Sequence, residues 1–350
     1  MGTPFQHFIE KRWYSRPGVL RLLTPLEWLF SALSRQRRKR QQQLASPFPV
    51  PVVVVGNIAV GGTGKTPVIK ALCDHFQARG YRPGVVSRGY GRVTRGLLEV
   101  SAESTAGQVG DEPLEIYQAS GVPVIVAEER CEAVEYLIAN HHCDLVFSDD
   151  GLQHYRLWRD LEIVVMDGAS RLGNGHCLPV GPLREPAARL AEADFVLVND
   201  SGADPLDPLS IDAGQHPFQV QPVGVENLLS GEPQALDSLQ QWTECHAVAG
   251  IGKPQKFFRL LWQLIPDAVI HQHVFPDHHA YTANDLEFGD QLPLLMTAKD
   301  GVKCRPFARP DWWQLTVAAV LPEDFLQQLE ARLRDRLKDR LKDQLVAPQR

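Results

Sequence analysis

A chain of 350 residues is more than a single core usually encloses, so two domains are expected. Hydrophobic residues make up 44% of it and charged residues 22%, enough apolar material for a packed core in each. A net charge of -6 and a pI near 6.1 argue against a general nucleic-acid binder, which would be basic.

The first element, within a segment spanning 1–45, is amphipathic. "RPGVLRLLTPLEWLFSALS" (16–34) sets Val19, Leu22, Leu23, Leu26, Leu29, Phe30 and Leu33 near one helical face, with Pro25 starting or kinking its second part. Trp13, Tyr14 and Trp28 suit a membrane interface, and "RQRRKR" (35–40) adds five cations in six residues. Two readings stand side by side: a helix packed on the protein's own core, or one lying in an anionic membrane surface.

Between 50 and 200 the pattern alternates strand, loop and helix. "PVVVVGN" (51–57) reads as a buried strand and "TPVIKALCDHFQARG" (66–80) as a helix stopped by Gly80. "YRPGVVSRGYG" (81–91) is a strand running into a polar turn. "VPVIVA" (122–127), "CDLVFSD" (143–149), "LEIVVMD" (161–167) and "ADFVLVN" (193–199) are four more buried strands. Such alternation predicts a parallel sheet covered on both faces. Residues 201–240, rich in Pro, Gly, Asp and Ser, read as an irregular or antiparallel connection. A second α/β section follows, with "HAVAGIG" (246–252), a helix over 254–264, "AVIHQHVFPDHHAYT" (268–282) and "PLLMTAKDGVKC" (293–304). The expected division is therefore 1–45 membrane-associating, 46–215 P-loop domain, 216–330 second domain and 331–350 charged helical tail. In the tail, Arg332–Asp335, Arg336–Asp339 and Arg340–Asp343 lie at i,i+3 spacing and favour an exposed helix. The six cysteines show neither C-x-x-C nor zinc-finger spacing and read as reduced thiols of a cytosolic chain. No signal peptide or bilayer-length apolar run is visible.

The chemistry begins at "AVGGTGKT" (59–66), directly after the first strand. It departs from G-x-x-x-x-G-K-[ST] only in carrying Ala59 for the first glycine. In that context the backbone from Ala59 and Val60 through Gly61, Gly62, Thr63 and Gly64 cradles phosphates. Lys65 reaches the β- and γ-phosphates, and the Thr66 hydroxyl ligates Mg²⁺. Asp149 and Asp150 of "LVFSDDG" are expected at the sheet's carboxyl edge beside the loop, holding the metal or its waters, with His154 on the same rim. "GDEP" (110–113) is either a turn with a helix cap or a catalytic pair, Asp111 accepting a proton from an attacking hydroxyl and Glu112 near the metal. Arg88, Arg92 and Arg184 are candidate phosphate clamps. "HQHVFPDHH" (271–279) packs four histidines and Asp277 into nine residues and reads as a metal site, a His–Asp acid/base pair or a solvated loop.

Taken together, "VGNIAVGGTGKTP", "SRGYGR", "VGDEP", "FSDDGLQHYRLWRDLEIVVMD", "GPLREP", "AGIGKPQKFF", "FPDHHAYT" and "TAKDGVKC" resemble the tetraacyldisaccharide 4'-kinases, the lipid A kinases of Gram-negative bacteria. The motifs run in order from about residue 50 to 305. The resemblance implies a P-loop NTPase-like parallel sheet domain, a smaller α/β domain and an N-terminal amphipathic helix that contacts the membrane. It implies ATP and Mg²⁺ as cofactors, and an acylated disaccharide phosphate in the bilayer as acceptor. Location is implied at the cytoplasmic face of the inner membrane, against its anionic surface, with no obligatory protein partner. By motif, Lys65 and Thr66 would serve ATP and metal, Asp111 would activate the hydroxyl, and His278, rather than the neighbouring His279, would assist. Glu112, Asp149 and Asp150 would serve Mg²⁺, while Arg130, Arg184 and Glu185 would support the site. The rival readings are a partitioning-type ATPase, which would carry lysine where Val60 stands, a GTPase metallochaperone, which would need an N-K-x-D stretch, and a nucleotide-gated lipid-binding adaptor.

Overall fold

The computed structural model describes residues 4–200 and 214–346. Its centre is β1 (Val52–Gly56), a run of β-branched residues wholly buried because both of its faces are covered. Val53 and Val55 point into one apolar layer, Val52 and Val54 into the other, as the two-residue period of a strand requires. Before it come α1 (Pro4–Trp13), a 3₁₀ turn over Gly18–Leu23 and α2 (Thr24–Gln42). Pro25 sits in the first turn of α2, where a missing N–H costs nothing, so it starts the helix.

The chain then alternates as expected. α3 (Lys65–Gln77) leads to β2 (Pro83–Ser87), a two-residue β3 (Leu98–Glu99), the short α4 (Ala106–Val109) and α5 (Asp111–Ser120). β4 (Val124–Val126), α6 (Arg130–His141), β5 (Leu145–Asp149), β6 (Leu161–Asp167) and β7 (Phe195–Asn199) complete the first half. β3 was too short to show a period in the sequence. "GDEP" is neither a free loop nor a turn, since Asp111 opens α5.

Of the segment expected to be irregular or antiparallel, residues 201–213 lie outside the described residues. The rest takes the antiparallel alternative rather than the irregular one, in β8 (Gln215–Asn227), the longest strand described. Its first residues pair parallel with β7, and Gln219–Asn227 pair antiparallel with β13 (Trp312–Val320). One strand thus belongs to both halves. Its polar alternation, with Phe218 and Val225 buried and Gln219 and Gln221 more exposed, conceals it in a composition scan. β9 (Pro233–Gln234), β10 (Glu244–Ala249), α7 (Pro254–Leu264), β11 (Val269–Val274), β12 (Leu294–Thr297) and α8 (Ala298–Cys304) make up the second half. The strand order is β11-β10-β12-β13-β8-β7-β6-β1-β5-β2-β4-β3, with β9 paired to β8.

The last helix, α9 (Glu323–Val346), is not a free tail. Phe325, Leu329 and Leu333 are buried in the same layer as Val68 and Phe76 of α3, and Phe325 meets Phe195 edge-on at 5.1 Å. Arg332 donates to the Asp194 carbonyl (3.1 Å) and faces its carboxylate, so the i,i+3 pairing with Asp335 is replaced by a tertiary contact. All six cysteines are unpaired, and all but Cys131 are buried.

Candidate active site

The two halves present the carboxyl ends of their parallel strands to one cleft of about 2040 Å³. Open α/β sheets bind ligands there because loops, helix N-termini and strand-end side chains converge. β1 ends in the phosphate loop, β2 in Arg88, β5 in Asp149 and Asp150, and β6 in Asp167. From the second half, β10 leads to Lys253, β11 to Asp277 and His278, and β12 to Lys299.

The loop itself is held from outside. Gly64, with φ of 93°, adopts the left-handed conformation that favours glycine and precedes the first turn of α3. Val60 N–H donates to the Pro182 carbonyl (2.9 Å), Arg184 N–H to the Ile58 carbonyl (2.7 Å), and the Tyr14 hydroxyl to the Val60 carbonyl (2.9 Å). Trp13 Nε1 donates to the Pro179 carbonyl (3.1 Å). Of these two aromatics, suited by type to a membrane, Tyr14 therefore braces the phosphate loop and Trp13 the neighbouring segment at Pro179. Trp28 does remain exposed. Glu27 accepts from Cys177 N–H (2.7 Å) and lies 3.0 Å from His176 Nδ1, fastening α2 to the same surface loop. Of the basic run, Arg38 pairs with Glu192 and packs over the Tyr155 ring, while Arg37 lines the cleft.

Behind the loop, charges are arranged in two tiers. Lys65 Nζ lies 3.4 Å from Asp150 Oδ1, and Arg184 Nη1 donates to Asp150 Oδ2 (3.0 Å). Burial opposes ionisation of Asp150, but these two cations, Lys65 foremost, hold its carboxyl well below the ordinary value. Asp149 is shifted the other way, by burial first and then by the charges of Glu112 and Asp150. Ser87 Oγ donates to its Oδ2 (3.0 Å), and its Oδ1 is buried without a protein partner. A cation suits that atom. Thr66 and Glu112 line the same cleft, so the donor set is oxygen throughout, as Mg²⁺ prefers. No group of three or more His, Cys, Asp or Glu that could hold a metal unaided occurs among the described residues.

Arg130 is buried, with Nη1 donating to Ser148 Oγ (3.1 Å). Gly151 leaves room for it: a Cβ there would stand 2.9 Å from Nη1 and 2.5 Å from Ser148 Oγ. His154 lines the cleft, and burial, with Arg130 and Arg159 next, pushes its imidazole down to about 4, so it is neutral near pH 7. Glu185 lies one shell back, accepting from Gln153 Nε2 (2.7 Å), which also donates to the Asn57 carbonyl. Arg88 lines the cleft. Arg92 does not; its side chain is buried, pairs with Glu128 (2.9 Å) and donates to the Gly96 carbonyl (2.7 Å), bracing the turn after β2.

Across the cleft, His278 Nδ1 lies 2.9 Å from Asp111 Oδ2, a contact between residues 167 positions apart. Burial would raise the Asp111 carboxyl, but the hydrogen bond from His278 and the charge of Lys299 outweigh it and hold it below the usual range. The same bond to Asp111 raises His278. His278 (φ 59°) and Asp150 (φ 46°) are both non-glycine residues in the left-handed region, a backbone strain that clusters at functional sites. His279 is not brought in. Its Nε2 lies 3.5 Å from Asp285, and its ring packs on Phe275 and Tyr281. His271 faces Glu244 and His273 faces His246, so the histidine-rich stretch is split between edge contacts and the dyad. Lys299, inside "TAKDGVKC" but given no role from sequence, lies among Asp277, Glu112 and His278. Lys253 and Lys256, likewise missed, both pair with Asp167 from the opposite half.

A phosphate loop with its lysine, strand-end carboxylates beside it and a second carboxylate–imidazole pair facing them define a P-loop protein of the kinase type. A profile of the family tetraacyldisaccharide-1-P 4'-kinase (LpxK) matches residues 19–334, and the chain belongs to that family. It is 49% identical over 337 residues to the tetraacyldisaccharide 4'-kinase of Pseudomonas aeruginosa (strain LESB58), covering 94% of this chain and 98% of the relative. To that of Ectopseudomonas mendocina (strain ymp) it is 49% identical over 329 residues, covering 92% and 95%. Among solved structures, LpxK from Aquifex aeolicus in complex with ATP is 26% identical with a TM-score of 0.78, covering 90% of this chain and 99% of that one.

Proposed function

We propose that the chain transfers the γ-phosphate of ATP to the 4'-hydroxyl of a tetraacyldisaccharide 1-phosphate, the step its family is named for. The observation that carries this reading is the Asp111–His278 pair, which faces the cleft from outside the phosphate loop. An ATPase switch or an adaptor has no use for a buried carboxylate braced in that position.

In this reading the loop from Ala59 to Thr66 cradles the phosphates through backbone N–H groups and the start of α3. Lys65, steadied by Asp150, neutralises the β- and γ-phosphates, and Arg88 and Arg184 add cationic contacts. Thr66, Asp149 and Glu112 would hold Mg²⁺, which when bound supplies charge neutralisation on the transferring group. Asp111, ionised at neutral pH, accepts the hydroxyl's hydrogen bond and then its proton, and His278 holds the carboxylate in line through Nδ1–H. Arg130 adds positive charge beneath Asp149 and Asp150, Glu185 holds Gln153, and His154 lines the cleft as a neutral imidazole.

No helix among the described residues is long and apolar enough to cross a membrane. α2 buries none of its residues, and Leu22, Leu26, Trp28, Leu29 and Leu33 are exposed. An acceptor carrying four acyl chains stays in a bilayer, so we place this apolar surface in the cytoplasmic leaflet of the inner membrane, with the exposed Arg35, Lys39 and Arg40 toward anionic headgroups. Residues 46–215 are assigned as the P-loop kinase domain and 216–330 as the second α/β domain, joined through β8, with 331–350 as the charged tail, whose described part, up to Val346, belongs to α9.

The test is transfer of labelled γ-phosphate to detergent-dispersed tetraacyldisaccharide 1-phosphate. Labelled lipid is expected from the wild type, and Asp111→Ala is expected to lose about 10²–10⁴-fold in kcat, the usual worth of a positioned general base. ATP hydrolysis with no labelled lipid would sink the proposal in favour of an ATPase switch.

A further inference from the structure

Lys299 sits where four polar groups meet. Its Nζ is 3.2 Å from Asp277 Oδ1, 3.3 Å from His278 Nε2, 3.5 Å from Glu112 Oε1 and 3.8 Å from Asp111 Oδ2. The side chain is only 18% exposed and comes from the start of α8, directly after β12. Thr297 caps that helix by accepting from Asp300 N–H, so the position of Lys299 is set by the backbone.

An ammonium group donates hydrogen bonds and cannot accept one. The imidazole nitrogen facing it must therefore offer a lone pair, which makes Nε2 the acceptor and leaves the ring proton on Nδ1. That proton is the one His278 donates to Asp111 Oδ2. We infer that Lys299 is a positioning residue for phosphate transfer, holding His278 as the neutral Nδ1–H tautomer so that it orients Asp111 without becoming a fixed imidazolium. The inference rests on the reading of Asp111 as the group that meets the acceptor hydroxyl.

The charges around His278 make this a balance. Asp111 faces it from α5, Lys299 from α8, and Asp277 on its own loop brings Oδ1 to 3.9 Å from Nε2. Tyr90, after β2, places its ring 5.2 Å away. Glu112 acts through Lys299, and Lys303 acts on Asp111. The two carboxylates favour the imidazolium; Lys299 is the cation in direct contact that opposes it. With Lys299 removed, His278 stays protonated to higher pH and pairs with Asp111 as an ion pair, which makes the carboxylate a poorer proton acceptor.

The experiment compares full-length wild type, Lys299→Met, Lys299→Gln and Lys299→Arg in kcat/KM for phosphate transfer across the acid side of the pH profile. Two-bond ¹H–¹⁵N spectra of ¹⁵N-histidine-labelled protein are recorded beside it, with His278 assigned by its absence in His278→Asn. The expected result is an acid limb displaced to higher pH by about one pH unit in the Met and Gln variants, close to wild type in Arg. The Nδ1–H signature of His278 should be present in wild type and diminished in the neutral variants. An equal loss at every pH with the His278 signature unchanged would overturn the inference and leave Lys299 a structural residue. Asp111→Ala separates the two levels. If it is inactive while the Lys299 variants keep the wild-type limb, only the Lys299 inference falls. If it transfers phosphate normally, the reading of Asp111 falls, and the tautomer spectrum still decides what Lys299 does to His278.

Discussion

Asp149 and Asp150 are chain neighbours with opposite surroundings. Asp149 ends a strand with its side chain buried beside two other carboxylates; Asp150 turns into the left-handed region and meets Lys65 and Arg184. In the proposed mechanism one would hold the metal ion and the other steady the loop lysine, a division that the dipeptide alone does not disclose. Arg130 supplies the balancing charge beneath both. Removing it takes a nearby cation from Asp149 and the donor from Ser148 Oγ, while Asp150 keeps Lys65 and Arg184, so Arg130→Ala should lose about 2 kcal/mol in urea-induced unfolding. A change under about 1 kcal/mol would mean that water or a neighbouring arginine replaces it.

The segment from α1 through α2 presents two distinct faces. Trp13, Tyr14 and Glu27 fasten it to the loop over 174–183 and to Val60, while Leu22, Leu26, Trp28 and Leu33 face outward. Each exposed leucine that enters a bilayer contributes roughly 1.5–3 kcal/mol. The combined variant Leu26→Glu, Trp28→Glu, Leu33→Glu should therefore bind vesicles containing anionic lipid at least about tenfold more weakly in a flotation assay, with ATP binding retained. Equal binding by variant and wild type would move the membrane contact elsewhere. The helix period revealed the apolar face but could not tell which aromatics belong to it. Trp13 and Tyr14 have the right chemistry for a lipid interface and were drawn instead to backbone carbonyls that lie far away in sequence.

The two halves are tied at several places: the shared strand β8, the Asp111–His278–Lys299 cluster, Asp167 with Lys253 and Lys256, and α9 lying back on the first half. α9 follows the second half in sequence yet completes the apolar layer of the first. Phe325→Ala should accordingly cost about 3 kcal/mol in unfolding free energy and lower the melting temperature of the nucleotide half. Little change would show that α9 is dispensable to the core.

Local chain information determined the phosphate loop, the parallel sheet and its order of elements, because a run of β-branched residues, a glycine turn and a helix N-terminus act over a few neighbouring residues. It also brought out Asp111 and His278 as separate candidates. Folding alone decided that they meet, that His279 and Arg92 turn away, that β8 is a strand and that Lys299, Lys253 and Lys256 belong to the cleft. Those outcomes depend on contacts between distant residues, Asp111 with His278 across 167 positions among them. Pairing at that distance is set by how two sheets join along one strand and aim their carboxyl ends at a common space, and no local period or spacing encodes it.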